Sequence, residues 1–292
     1  MSSHITYDGK EWWKALGPDG AYAMEEVYDT YGHRLKPKWK QFRKFGRKSI
    51  PAKDVSHTIM TQGSTAVLHE TYTTANTINS VIASTTGQTQ SIRVEGQTID
   101  TSGDLQFVVQ NVTLGGSTAV SLTTPLARCT RLAVDPGTFA SPTSALSAAV
   151  YAYQSTKTGV SGGVPSSAVH VNCIISNGSN QSEKCATSVS YKDYWLIKQI
   201  QAAIPEVASP NGTAAFDIDL EIRSVKGGVF RPSGAELSIG AGSRFAALDF
   251  SPYIIVPPNS DVRLTAIGST SNLTVTGAIS GILLGVSSGD LS

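Results

Sequence analysis

Three acidic side chains alternate along one segment of the chain. Asp217, Asp219 and Glu221 lie two residues apart and are separated by apolar residues. On a strand this spacing places the carboxylates on one face roughly 7 Å apart, which is compatible with hard-cation binding or paired acid–base chemistry. Arg223 continues the row and no other acidic cluster is near in sequence. We therefore interpret the segment as the solvated face of a strand.

A Gly-x-Ser-x-Gly pattern around Ser161 is the second candidate for chemistry. A nucleophilic serine of this kind needs a sharp strand-to-helix turn and a later Asp and His. No helical pattern follows Ser161, and His170 is the only later histidine, with no Asp or Glu between them. The sequence therefore does not support a hydrolase.

The metal and cofactor motifs are incomplete. The five histidines are scattered, and His69-Glu70 lacks the second histidine that would place two zinc ligands on one helical face. The three cysteines are widely spaced and form no Cys-x-x-Cys pair. Gly240-Ala-Gly242 has no third glycine in the dinucleotide position. We predict no catalytic residues, no cofactor and no metal.

The strongest functional signal is a basic, aromatic segment at residues 34–53. It contains nine Lys and Arg residues and no carboxylate, interleaved with Trp39, Phe42 and Phe45. Such a segment can dock on an acidic neighbouring subunit with its aromatics as anchors, bind phosphates and bases, or remain solvated or self-packed. We favour docking and keep nucleic acid as the weaker alternative. The candidate docking residues are Trp12, Trp13, Arg34, Lys36, Lys38, Trp39, Lys40, Phe42, Arg43, Lys44, Phe45, Arg47 and Lys48.

The overall composition favours no charged partner. The 292 residues carry a net charge of +1, and the charged fraction of 15% is below the roughly 25% of ordinary soluble proteins. No apolar run reaches the length of a transmembrane helix, and residues 1–14 lack the apolar segment of a signal peptide. We therefore expect no membrane partner and a reducing compartment.

Two different patterns divide the chain. Residues 1–53 contain breakers such as Gly17-Pro18 and Pro37 and predict an extended arm, with one short helix proposed at residues 21–28. After residue 54, Val, Ile, Thr and Ser runs are interrupted by turn residues about every ten positions, which is typical of sandwiches. The clearest strand, Phe216 to Arg223, has a period of two.

The predicted fold class is all-β, with two antiparallel β-sandwich or jelly-roll-like domains preceded by the basic arm. A Gly- and Ser-rich stretch at residues 159–167 is the candidate linker. The predicted organisation is an arm at 1–53, a β-sandwich at 54–165 and a jelly-roll-like sandwich at 166–292. Pro257-Pro258 should end a strand, because proline has no amide donor for the ladder.

The order of several motifs carries a family resemblance over most of residues 40–285. These motifs are Lys44 to Arg47, Gln90 to Gly96, Val112 to Val120, Arg128 to Arg131, Asp217 to Val225, Gly227 to Phe230 and Ile255 to Ala266. In this order the sequence resembles the β-rich virion structural proteins of short-tailed, often marine, bacteriophages. It departs from them at Gly96-Gln-Thr-Ile-Asp100 and at Leu114-Gly-Gly, where Leu-Asn-Gly is more usual.

The resemblance implies a non-enzymatic structural subunit that is capsid-associated, a decoration protein, or a neck or tail accessory protein. Its expected partners are capsid, portal or tail subunits and further copies of itself. We expect synthesis in the host bacterial cytoplasm and location in the virion. The alternative function is a carbohydrate- or receptor-binding module using Tyr191, Tyr194 and Trp195, although core packing explains Trp195 equally well.

Overall fold

A computed structural model gives the fold. It describes the backbone of residues 3–7, 10–16, 22–24, 27–28, 34–35, 38–50, 53–61, 68–69, 73, 75–135, 146–155, 160–165, 170–205, 215–226, 228–240, 243–270 and 273–285. Side chains are described within these ranges from residue 41 onward, apart from residues 68, 69 and 285.

The described residues form strands and turns and contain no helix, which confirms the all-β prediction. The strands of the first half are β1 Ser3–Tyr7, β2 Lys10–Leu16, β3 Tyr22–Met24, β4 Val27–Tyr28, β5 Arg34–Leu35, β6 Lys38–Ile50, β7 His57–Thr58, β8 Leu68–His69, β9 Ile78–Ala83, β10 Ser91–Ile99, β11 Leu105–Thr113, β12 Val120–Leu126 and β13 Arg128–Val134. Those of the second half are β14 Val150–Tyr153, β15 Val160–Ser161, β16 Val164–Pro165, β17 His170–Ile175, β18 Ala186–Val189, β19 Asp193–Ala203, β20 Phe216–Ser224, β21 Arg231–Ile239, β22 Phe245–Val256, β23 Ser260–Gly268 and β24 Leu273–Gly285.

The short helix predicted at residues 21–28 is wrong. This stretch contributes β3 and β4, and β3 pairs with β2 through Lys14, Ala15 and Leu16. Aromatic residues such as Tyr22 and Tyr28 favour strands once a partner strand is present. Strands β1 to β5 pair only with one another among the described residues.

The first sandwich consists of two sheets around one apolar core. Their strand orders are β11-β10-β13 and β12-β9-β14-β17-β8. Strand β8 runs parallel to β17, whereas the other pairs are antiparallel. The alternation of Ile92 and Val94 with polar residues on β10 explains why one face of this strand is buried. The core contains Ile78, Val81, Ile92, Val94, Leu126, Cys129, Leu132, Val150, Cys173 and Ile175, among others.

The second sandwich has the sheet orders β22-β19-β24-β6 and β18-β23-β20-β21, with β7 added to β23. The period of two on β20 places Phe216, Ile218 and Leu220 in the core between the two sheets. Trp195 lies in the same core, fully buried, and Phe42 packs against it edge-to-face at 5.1 Å between ring centroids. The two sheets therefore face each other and present their outer faces in opposite directions.

Three strands fall outside the predicted domain plan. Strand β6, from the predicted arm, pairs with β24 over thirteen residues and completes a sheet of the second sandwich. Strand β7 lies in the predicted first domain but pairs with β23 of the second sandwich. Strand β17 follows residue 165 yet belongs to the first sandwich. The division at residues 53 and 165 remains a prediction.

The proline pair marks a strand end as predicted. Strand β22 ends at Val256 and β23 begins at Ser260, so Pro257 and Pro258 lie in the connection. Asn259 takes a positive φ of 53° there, a conformation that asparagine tolerates better than most residues. The side chain of Asn259 also accepts a hydrogen bond from the Leu105 amide at 2.8 Å, which joins this turn to the first sandwich.

Candidate functional site

A surface cleft of about 820 Å³ lies where the two sandwiches meet. One wall is the outer face of the sheet that contains β6, and the other is formed by β10, β11 and β13. Three phenylalanines line the cleft with large exposed fractions: Phe45 at 37%, Phe107 at 48% and Phe245 at 57%. Exposed aromatic rings collected in a concave surface are typical of interaction sites.

The alternation of β6 explains which of its side chains enter the cleft. Gln41, Arg43, Phe45 and Arg47 are exposed, whereas the intervening side chains point toward the interior. The neighbouring strand β24 places the small residues Ser280, Ala278 and Thr276 opposite Arg43, Phe45 and Arg47. These small side chains leave the space above the sheet open.

Four arginines and two glutamates give the cleft its charge. Glu95 is shared by Arg93 at 2.9 Å and Arg131 at 3.4 Å. On the β6 side, Arg43 donates a hydrogen bond to the Gln201 amide oxygen at 3.3 Å. Arg47 has no hydrogen bond or ion pair within the part of the chain that the structure describes. The wall formed by β6 therefore presents two guanidinium groups without a carboxylate partner among the described residues.

Two buried lysines close the inner end of the cleft. Lys44 donates to the Thr130 carbonyl oxygen at 2.9 Å and so connects β6 to β13. Lys184 donates to the Cys129 carbonyl at 2.9 Å and to both oxygens of Asn172, at 3.0 and 3.1 Å. Burial lowers the pKa of both lysines, that of Lys44 to about 8. Their bonds to carbonyl oxygens give them a structural role.

A second buried network fixes the two walls relative to each other. Arg128 of β13 forms a two-pronged ion pair with Asp261 of β23, at 2.9 and 3.1 Å, and both side chains are buried. Asp261 also pairs with Arg223 at 2.9 Å and accepts a hydrogen bond from the Ser188 hydroxyl. Gln97 donates to the Ser188 carbonyl at 2.9 Å. The cleft is therefore held by contacts between the two sandwiches.

The structure separates the predicted docking residues into three groups. Arg43, Phe45 and Arg47 reach the cleft surface. Lys44 and Lys48 are 7% and 2% exposed, so both side chains are buried in this chain, and their role in docking stays a prediction. They point inward because every second residue of β6 faces the interior. Phe42, half-buried against Trp195, belongs mainly to the core.

The remaining predicted docking residues lie outside the described side chains. Trp12 and Trp13 belong to β2, Arg34 belongs to β5, and Lys38, Trp39 and Lys40 begin β6. Lys36 lies outside the described residues. Their contribution to docking stays a prediction.

The acidic segment lies on the outer face of the opposite sheet of the second sandwich. Asp217 is exposed, Asp219 is half-buried, and Glu221 pairs with Arg263. Glu236 of β21 stands directly across from Asp219. Burial raises the pKa of Asp219, and the charges of Glu236, Glu221 and Asp217 raise it further. Like charges are thus concentrated on this face.

Ser161 does not occupy a nucleophile elbow. It ends β15, and Gly162 and Gly163 form the turn to β16 with positive φ values of 56° and 77°. The described residues contain no group of three or more His, Cys, Asp or Glu side chains placed to hold a metal ion. Nor do they include a helix long and apolar enough to span a membrane.

One of the three residues named for the alternative carbohydrate- or receptor-binding site lies in the core. Trp195 is fully buried, so it cannot stack on a ligand at the surface. Tyr191 is half-buried beneath the Lys192 ammonium, which lies 4.9 Å from its ring centroid.

Four residues that line the cleft were not among the docking residues predicted from the sequence. Arg93, Phe107, Arg131 and Phe245 line the cleft, although they are far apart in the chain. The only available signal was local: Arg93 alternates with Ile92 and Val94, which predicts an exposed position. Their convergence depends on how the two sandwiches pack.

Comparisons with known proteins leave the family open. No family model matches the chain, and no curated protein matches its sequence. Two solved structures align with 99% of the chain and with 71% of their own lengths. They are the infectious bursal disease virus VP2 subviral particle, at 9% identity and a TM-score of 0.24, and the Gx strain of that virus, at 10% identity and a TM-score of 0.21. The fold assignment rests on the strand pairing described above.

Proposed function

We propose that this chain is a non-enzymatic structural subunit of a tailed-bacteriophage virion that docks on neighbouring subunits through the cleft. The observation that carries this proposal is the collection of Phe45, Phe107 and Phe245 with four arginines in one open surface. Aromatic residues and arginine are the types enriched at the energetic centres of protein interfaces. The motif order that resembles phage virion proteins supplies the biological setting.

A protein partner fits this cleft better than nucleic acid. Arg93 and Arg131 are already paired with Glu95, so among the described residues only Arg43 and Arg47 of the four cleft arginines lack a carboxylate partner, which is few for binding a phosphate backbone. The exposed phenylalanines need an apolar surface to cover them, which the side chains of another subunit provide. The whole chain also carries a charge of only +1.

The proposed partners are capsid, portal or tail subunits, together with copies of the same chain. The subunit would be made in the bacterial cytoplasm and incorporated as a capsid-associated, decoration, neck or tail accessory protein. The motif resemblance supports phage origin and virion location, and the cleft supports the docking mode.

The test is the presence of the chain in purified particles. Quantitative mass spectrometry should find it at a fixed copy number per particle, and antibodies should label one position by electron microscopy. Peptides that are abundant in infected cells but absent from purified particles would contradict the proposal.

A pair of variants connects the function to the cleft. Phe45→Ser with Phe245→Ser should reduce incorporation into particles at least tenfold, because truncated aromatic anchors typically cost about 2 kcal/mol or more in binding. Val229→Ser is the matched control, since Val229 is 68% exposed and does not line the cleft. Equal incorporation of the two variants would exclude the cleft as the docking surface.

A further inference from the structure

Two oppositely charged surfaces lie on opposite sides of the second sandwich. The cleft presents Arg43 and Arg47 on the outer face of the β22-β19-β24-β6 sheet. An acidic strip, defined as Asp217, Asp219 and Glu236, lies on the outer face of the β18-β23-β20-β21 sheet. Because the two sheets bury their inner faces against one core, the cleft and the strip point away from each other.

The strip is rich in charge that is not neutralised within the chain. Among the described residues, Asp217 accepts only a hydrogen bond from the Ser238 hydroxyl at 2.8 Å. No ion pair reaches Asp219 or Glu236 in the described part of the chain, although these two residues are direct cross-strand partners. Directly opposite like charges destabilise a sheet. Burial and the neighbouring carboxylates raise the pKa of Asp219, because both make its charged form less favourable.

The β6 wall of the cleft carries positive charge that has no carboxylate partner among the described residues. Arg47 has no ion pair among the described residues, and Arg43 has only a neutral partner in Gln201. Among the described residues, the β6 wall of the cleft carries positive charge without carboxylate partners and the strip carries negative charge without cationic partners, while geometry prevents them from meeting within one molecule.

We propose that the acidic strip of one copy docks on the β6 wall of the cleft of a second copy. This inference rests on the proposed structural function and deepens it by naming a partner and both contact surfaces. The contact joins two different surfaces, so it is heterologous: one copy of a pair keeps its cleft free and the other keeps its strip free. Such a contact forms a ring if its rotation closes and an open chain if it does not.

The proposal predicts self-association that weakens with salt. Opposite charges on two exposed surfaces attract over about 10 Å at 0.1 M ionic strength and are screened strongly at 1 M. Sedimentation velocity of the full-length chain should therefore show concentration-dependent oligomers at low salt that dissociate at high salt.

Two full-length variants test the cleft and the strip separately. The cleft variant, Arg43→Gln with Arg47→Gln, keeps the strip, and the strip variant, Asp217→Asn with Asp219→Asn, keeps the cleft. Each variant alone should be monomeric, with self-association weakened at least tenfold. Lys53→Gln with Lys192→Gln is the control, because it removes two exposed positive charges outside the cleft and should associate like the wild type.

Mixing the two variants gives the decisive result. One mixed pair contains one intact cleft and one intact strip, so light scattering and native mass spectrometry should show one-to-one dimers and no larger species. Two monomeric variants that fail to combine would overturn the proposal, as would wild-type self-association that neither variant weakens.

Charge reversal provides a second readout if the neutral variants are poorly folded. Arg43→Glu with Arg47→Glu should combine with Asp217→Lys with Asp219→Lys, and circular dichroism establishes the fold of each. Wild-type protein that stays monomeric and binds double-stranded DNA through Arg43 and Arg47 would overturn the proposal in favour of nucleic acid. Failure of the general function is distinguishable, because wild-type protein that enters particles normally but never self-associates refutes only the second-copy contact.

Discussion

Substitution of Asp261 by asparagine tests how the two sandwiches are held together. Asp261 is fully buried and pairs with Arg128, which is only 3% exposed, and with Arg223. Asp261→Asn preserves the shape of the side chain but leaves the Arg128 guanidinium charged and buried without its counter-ion. Removing one partner of a buried ion pair costs about 3–5 kcal/mol.

Urea and thermal denaturation of the full-length chain measure this cost. At about 2–4 °C per kcal/mol for large domains, the melting temperature should fall by roughly 6–20 °C. The matched control is Lys226→Met, because Lys226 is 52% exposed and its ion pair with Asp104 should be worth about 1 kcal/mol or less. Equal destabilisation by the two variants would mean that the buried ion pair contributes no more to stability than an exposed one.

A double-mutant cycle isolates the pair itself. Arg128→Met alone should destabilise the protein, and Arg128→Met combined with Asp261→Asn should cost less than the sum of the single changes. Residues in contact show coupling energies of about 0.5–3 kcal/mol. Strict additivity would mean that the pair does not connect the sandwiches energetically.

Three further predictions concern buried groups and the amino-terminal segment. Burial lowers the pKa of Lys48 to about 8, and no hydrogen-bond partner is found for its ammonium among the described residues. Lys48→Met should therefore raise the free energy of unfolding by about 3 kcal/mol below pH 8, against a change of about 0.5 kcal/mol or less for exposed Lys53→Met. The unfolded chain binds the Lys48 proton more tightly than the folded chain does. The free energy of unfolding of the wild type should therefore rise as the pH increases from about 8 to 10.5. Urea titrations at several pH values should show a smaller rise for Lys48→Met. The three free cysteines are buried, so a thiol reagent should label none of them in the native protein and all of them in concentrated guanidinium, whereas native labelling would contradict the described core. Deletion of residues 1–37 should leave a cooperatively folded body by circular dichroism, whereas deletion of 1–53 removes β6 and should abolish the cooperative transition of the second sandwich.

Local patterns predicted much of the fold. The apolar residues of β20 alternate strictly, and a strand is the only regular element that places Phe216, Ile218 and Leu220 on one face. The proline pair after Val256 likewise ends β22, because its residues lack amide donors. These features depend on neighbours in sequence.

The role of β6 could not be read in the same way. Its inward-facing residues are Phe42, Lys44, Gly46, Lys48 and Ile50. Because two of them are lysines, the sequence of this buried face resembles that of an exposed basic segment. Gly46 is required because a side chain there would overlap the carbonyl oxygen of Ile59. The buried charge of Lys44 is tolerated because Thr130, from another sandwich, accepts its hydrogen bond.

The candidate site was predicted only in part for the same reason. Arg43, Phe45 and Arg47 were predicted because the segment that contains them is rich in basic and aromatic residues. Phe107 and Phe245 reach the cleft only through the packing of strands that are distant in sequence. Likewise, nothing in the local sequence of Arg128 indicates its pairing with Asp261, which lies 133 residues away.

A side-chain-resolution cryo-electron microscopy map of the purified particle would show whether the chain docks on a neighbouring subunit through the cleft. We expect this chain to be present and a neighbouring subunit to cover Phe45 and contact Arg43 and Arg47. A particle that contains the chain with its cleft open to solvent would contradict docking through this surface.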